Sequence, residues 1–195
     1  MSKDTNTNAI ESRQPRSMTT RTLAFCALLA ALSVVFARLI VPMPNAFTRF
    51  SIEAVPIFLA GLLFGPMAGG LVGFAADLVG CLFSGFGYNP IFCIPPILYG
   101  VCGGVFQFLL VKKVSLPRLL LAFSPAVVFG SILYQSAALS LIYNSKGSFA
   151  ASMTYFLTTR SIQFVLTMVV DALLINLLFA SKLFERINMW PPKAK

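Results

Sequence analysis

Six charged side chains stand inside, or at the margins of, long apolar stretches: Arg38, Arg49, Glu53, Asp77, Arg160 and Asp171. A charge held away from water is costly, so each is a candidate for ligand binding. Guanidinium groups hold carboxylates by charge-assisted hydrogen bonds, and carboxylates accept from N–H donors. A second cluster lies in Phe83-Ser84-Gly85-Phe86-Gly87-Tyr88-Asn89-Pro90-Ile91-Phe92, where aromatics, glycines and a proline surround a single amide. Such a stretch can fold as an aromatic lid with a hydrogen-bonding tip, or as an interfacial aromatic belt. Arginines and aromatics at one face suit a planar, anionic, partly apolar ligand.

Catalysis has little to work with. The chain contains no histidine, which removes Ser-His-Asp hydrolysis, Cys-His nucleophiles and His-ligated zinc or haem. Cys26, Cys81, Cys93 and Cys102 form no CxxC pair and sit in apolar context, as small buried or lipid-facing hydrophobes do. No glycine-rich stretch fits GxxxxGK[ST], so no ATPase of the chain's own is expected. No catalytic residue, metal site or cofactor is assigned.

Composition says what must position the charges. Of 195 residues 57% are hydrophobic and 11% charged, against about 25% charged in soluble domains. Too few polar side chains exist to cover a globule, so the solvent for most of the chain is lipid. A bilayer core needs about 20 apolar residues per helix. On that ruler the chain divides into six segments, near 20–41, 51–64, 66–84, 92–111, 117–143 and 153–186. Residues 1–20 read as a disordered tail, 21–187 as one six-helix domain and 188–195 as a second tail.

Charge sets the orientation. With the N-terminus inside, Lys3, Arg13, Arg16, Arg21, Lys112, Lys113, Arg118, Lys182, Arg186, Lys193 and Lys195 face the cytoplasm, and Arg38, Arg49, Lys146 and Arg160 lie in the outward half. This obeys the positive-inside rule with both termini cytoplasmic. The net charge of +9 is therefore a topology signal and implies no nucleic acid. Asp77 falls near mid-membrane, about 16 Å beyond Pro66, and Arg160 about two turns below the outer end of the last segment. Arg38 and Arg49 can also snorkel to headgroups, and Glu53 can pair with Arg49 across one helical turn. Asp171 reads equally as a packing residue.

Small residues form two further patterns. Ala24, Ala27 and Ala31 share one face of the first segment, which permits close approach of another helix, within this chain or beyond it. Gly61, Gly65, Gly69 and Gly73 repeat every four residues and are expected to let the second and third segments pack closely.

These residues resemble a known family. The run from Ala27 to Val35 followed by Ala37-Arg38, the stretch Arg49-Phe50-Ser51-Ile52 leading into Pro56-Ile57-Phe58-Leu59-Ala60-Gly61-Leu62-Leu63-Phe64-Gly65-Pro66, and its continuation through Gly69-Gly70-Leu71-Val72-Gly73 and Ala76-Asp77-Leu78-Val79-Gly80 are similar to the S components of energy-coupling factor (ECF) vitamin transporters. Tyr88-Asn89-Pro90 and Leu98-Tyr99-Gly100 follow the family's spacing less tightly. The resemblance is strongest to folate-specific members. Glu53-Ala54 stands where that group often has Gly-Phe, and Asp171 where a neutral polar residue is expected.

The resemblance implies an all-α membrane protein that captures its vitamin from outside. It then works with a transmembrane coupling subunit and two cytoplasmic ATPases. By the same resemblance Ala27 and Ala31 dock on the coupling subunit, with Ala24 added by geometry. Substrate contacts are expected from Arg38, Arg49, Asp77, Phe86, Tyr88, Asn89, Phe92 and Arg160. In that scheme Asp77 or Asn89 bonds the pterin, the aromatics stack, and Arg49 and Arg160 attract carboxylates. Riboflavin, thiamine, pantothenate or a queuosine precursor are the alternative ligands. A stand-alone secondary transporter or a membrane enzyme fits less well, since no internal repeat, serine-histidine dyad or aspartate cluster is present.

Overall fold

The computed structural model describes residues 19–38, 41–42, 49–84, 89–111, 114–142 and 148–186. The two tails expected at 1–20 and 188–195 lie outside the described residues, apart from Thr19 and Thr20. Helices α1 (Thr20–Phe36), α2 (Ala54–Phe64), α3 (Pro66–Ser84), α4 (Ile94–Val105), α5 (Gln107–Val111), α6 (Leu116–Pro125), α7 (Gln135–Ile142), α8 (Phe149–Ala180) and α9 (Leu183–Arg186) make up nearly all of it. A 3-10 turn at Pro90–Cys93 leads into α4, and a π-helical run at Ala126–Tyr134 joins α6 to α7. The one extended feature among the described residues is an antiparallel pair, β1 (Val41–Pro42) with β2 (Arg49–Phe50).

Local chemistry sets the breaks. Gly65 ends α2 at φ 97°, a backbone conformation that favours glycine, and Pro66 opens α3, where its missing N–H costs nothing. Pro125 falls inside a helix and leaves the Leu121 carbonyl without its usual donor. The Ser124 hydroxyl donates to that carbonyl at 3.0 Å, and the π-helical run begins one residue after the proline.

Helix α2 is the centre of the protein. Every residue from Ala54 to Leu63 is buried, enclosed by α1, α3, α4 and α8. At 11 residues it spans about 16 Å, short of the ~30 Å core of a bilayer. Among the described residues, three helical stretches are long and apolar enough to cross a membrane, within Pro66–Phe83, Leu116–Ile142 and Phe149–Ala180; Thr20–Phe36, Ala54–Phe64 and Pro90–Val105 are apolar but shorter. Many large apolar side chains point outward from the long helices, Leu82, Leu133 and Ile162 among them, as lipid-facing residues do.

Several sequence expectations shift. The first helix stops at Phe36 rather than 41, because the chain turns extended to pair Val41 with Phe50 and Pro42 with Arg49. Arg49 therefore stands on β2 and Glu53 in the turn before α2, so no helical turn joins them. The fourth segment is split at Phe106. The last long helix begins at Phe149 and ends at Ala180, where Lys182 turns the chain at φ 55° into α9. The glycine repeat does bring α2 to α3, with Gly61 Cα facing Gly69, but its main partner is α4. Gly61 and Gly69 abut the Gly100 carbonyl, and Gly73 abuts that of Pro96.

Candidate functional site

The packing of α4 onto α2 and α3 leaves a cavity of about 420 Å³ beside that trio, within the ~300–1,000 Å³ of small-molecule sites. Each wall comes from one helix face. Helix α1 and the turn after it give Ser33, Val34, Ala37 and Arg38, and α3 gives Ala76, Asp77, Gly80 and Cys81, the same one-turn spacing on both. Helix α8 gives Arg160, Gln163, Phe164, Thr167 and Asp171, a stripe along three turns. Phe92, Pro95, Pro96 and Tyr99 line it from the 3-10 turn and α4, and Ser131 and Gln135 from the π-helical run and the start of α7.

Of the eight residues expected to touch ligand, Arg38, Asp77, Asn89, Phe92 and Arg160 line this one cavity. Phe86 and Tyr88 lie outside the described residues, and Arg49 is described by its backbone on β2 alone. Arg38 is exposed, and its guanidinium donates to the Gly80 carbonyl at 2.8 Å, tying the end of α1 to α3. Arg160 is 7% exposed and sits 5.0 Å over the Phe164 ring, a cation–π arrangement. It lies 11 residues into α8, nearer three turns than two from the start of the helix, because α8 begins before residue 153. Asn89 Oδ1 accepts from the Ile91 amide at 3.1 Å and so caps the 3-10 turn. Its side-chain NH2 is the part that can serve a ligand.

The cavity also holds residues that sequence reasoning left undecided or missed. Glu53 and Asp171 both line it, as do Ser33, Tyr99, Ser131, Gln135 and Gln163. Asp171 is 2% exposed. The Tyr99 hydroxyl and Ser131 Oγ share a 2.9 Å hydrogen bond that couples α4 to the π-helical run, and Ser33 donates to the Glu53 carbonyl at 2.8 Å. A signal for the α8 residues was present. Arg160, Gln163, Thr167 and Asp171 recur at i, i+3, i+7 and i+11 in an otherwise apolar helix, a polar stripe on one face. No local pattern marked Tyr99 or Ser131.

The charged lining is two arginines, Arg38 and Arg160, and three acids, Glu53, Asp77 and Asp171. Along α8, Arg160 and Asp171 are separated by about 16 Å of axial rise. The site is thus elongated and carries opposite charge toward its two ends on that wall. It can hold a long, dipolar small molecule with an anionic end near Arg160 and donor groups near Asp171.

Residues 17–180 match the family described as ECF-type riboflavin transporter, S component. The folate transporter FolT of Clostridium novyi (strain NT) is 32% identical over 101 residues, 51% of this chain and 57% of that relative, so the match spans little over half of the curated protein. A solved structure, the crystal structure of FolT bound with folic acid, superposes with a TM-score of 0.65 at 29% identity, covering 81% of this chain and 92% of the other. The S component for biotin from an ECF-type ABC transporter shares the fold at a TM-score of 0.54 and 15% identity, over 86% and 95% of the two chains. With residues 17–180 inside the family match and the S-component fold around a polar cavity, the chain belongs to the integral membrane S components of ECF-type transporters.

Proposed function

We propose that this S component captures folate from outside the cell and delivers it inward through a coupling subunit driven by two partner ATPases. The observation that carries the ligand is a cavity lined by two arginines, acids and amides, with Arg160 and Asp171 about 16 Å apart along one wall. Folate has a donor-bearing pterin, an apolar ring and a glutamate with two carboxylates, in that order along its length. The likeness to FolT, in sequence and in a structure bound with folic acid, supports the same ligand. Arg38, Arg160 and Arg49 would meet the carboxylates, Asp77 and Asn89 the polar edge of the ligand, and Phe86, Tyr88 and Phe92 its rings.

Riboflavin is the second reading, favoured by the description of the matching family. Riboflavin carries no carboxylate to meet the buried Arg160 or the exposed Arg38. Purification of the full chain in detergent, followed by mass spectrometry of bound small molecules and titration with folic acid and riboflavin, separates the two. Folate is expected, both co-purified and on titration. Riboflavin binding with no response to folic acid refutes the folate reading.

The proposed topology has six spans, with both termini in the cytoplasm and 21–187 as the membrane domain. It rests on the placement of the basic residues and on three shorter apolar helices completing the three long ones. Ala24, Ala27 and Ala31 are all exposed on α1, an open small-residue face suited to docking on the coupling subunit. Ala27→Trp combined with Ala31→Trp is expected to leave folate affinity within about twofold. It should abolish co-purification with the coupling subunit and reduce uptake by more than about tenfold, as bulky side chains hold two helix backbones apart. Uptake at the wild-type rate by this variant refutes the docking face.

A further inference from the structure

The assignments above leave a buried carboxyl group of the cavity without a task. Asp171 lines the cavity at 2% exposure, and its Oδ1 has no hydrogen-bond partner among the described residues. It stands in the interior of α8, where the surrounding backbone N–H groups are committed to the helix ladder. Arg160 shares its face but is about 16 Å away along the axis, beyond the reach of an ion pair. Glu53 and Tyr99 line the same cavity, and the Tyr99 hydroxyl shares a hydrogen bond with Ser131. The cavity as a whole sets three carboxyl groups, Glu53, Asp77 and Asp171, against two guanidinium groups. A carboxyl group left unpartnered in an apolar interior is costly, so the site is complete only when something supplies N–H groups.

We propose that Asp171, in a cavity that Glu53 also lines, is the specificity-determining residue that reads the donor edge of the ligand's heterocycle. This rests on the folate reading and assigns the pterin to the part of the cavity that Asp171 lines. A 2-amino-4-oxopteridine presents an exocyclic NH2 next to a ring N–H, two parallel donors that a carboxylate accepts together. A flavin presents two carbonyls flanking one N–H on the corresponding edge and would set carbonyl oxygens against the carboxylates. Selection then comes from repulsion of the wrong edge as much as from attraction of the right one.

The test compares folic acid with its analogue bearing oxygen in place of the 2-amino group, by titration calorimetry on the full chain in detergent. The wild type is expected to prefer folic acid by about 10- to 100-fold, as for one unpaired buried polar contact. Asp171→Asn, nearly identical in shape, is expected to lose most of that preference by weakening folic acid binding while the analogue changes little. Equal binding of the two compounds by the wild type overturns the proposal, as does an Asn variant that keeps the wild-type preference. If the variant does not fold, the wild-type comparison decides alone. Wild-type protein that binds riboflavin and neither pteridine refutes the folate reading itself, a result distinct from loss of selectivity at Asp171.

Discussion

Arg160→Ala is expected to weaken folic acid binding by about 10- to 150-fold, the range of a lost hydrogen bond to a charged group worth ~1.5–3 kcal/mol. The size follows from burial. At 7% exposure the guanidinium is shielded from the water that makes surface ion pairs weak, so a ligand carboxylate beside it replaces little solvent and gains a charge-assisted contact. The Phe164 ring under it at 5.0 Å fixes the plane of the group. Arg160→Lys is expected to recover only part of the loss, because an ammonium keeps the charge without the planar fork. Calorimetry with folic acid and with p-aminobenzoylglutamate reads the effect, and both should weaken together, since both carry the glutamate. Wild-type affinity in a folded Arg160→Ala protein would falsify the carboxylate role. The exposed Arg38, already bonded to the Gly80 carbonyl, should matter less.

The largest effect on stability is expected at Gly100. A Cβ there would fall well inside van der Waals contact with the carbonyl of Gly69 and close to the backbone nitrogen of Gly70, while Gly61 and Gly69 in turn abut the Gly100 carbonyl. The clash is backbone against backbone, so no side chain can rotate away to relieve it. Three helices meet at this point, and separating them opens the wall of the cavity that α3 and α4 form. Gly100→Ala should therefore cost more than the ~1–3 kcal/mol typical of overpacking and remove ligand binding with it. Gly80→Ala is the control, because nothing lies within 4 Å of an added Cβ there. It should be neutral or mildly stabilising, as alanine is favoured over glycine in helices by ~1 kcal/mol. Thermal unfolding in detergent and the elution profile measure both, and a Gly100→Ala protein that melts with the wild type overturns the packing argument.

Some of the architecture could be read from local pattern, and some could not. The Gly65-Pro66 break and the start of α3 at Pro66 follow from backbone chemistry confined to two residues, so they fall where the sequence puts them. The end of α1 does not. Apart from Arg38, residues 37–41 are apolar like those before them, and the pairing of Val41 with Phe50 shows where the chain has left the helix. The glycine repeat announced a close approach but not its partner, since Gly100 lies on a separate helix and meets Gly61 and Gly69 only after α4 folds back. Asp171 is the sharper case. Counted along α8 it lies about 16 Å from Arg160, which reads as a separate packing position. A cavity long enough to span three turns joins them.

The sequence by itself determined that this chain lives in lipid, that it lacks the histidines for common catalysis, and which family its second and third helices resemble. Those are properties of composition and of short-range spacing, which survive without knowing how helices pack. Only the tertiary structure decided which of six scattered charges share one site, that Glu53 and Asp171 are among them, and that the alanines of α1 face outward. A binding site is assembled from faces of helices distant in sequence. Which faces meet is set by the glycine contacts that lock α2, α3 and α4 together, an interaction written in no single helix.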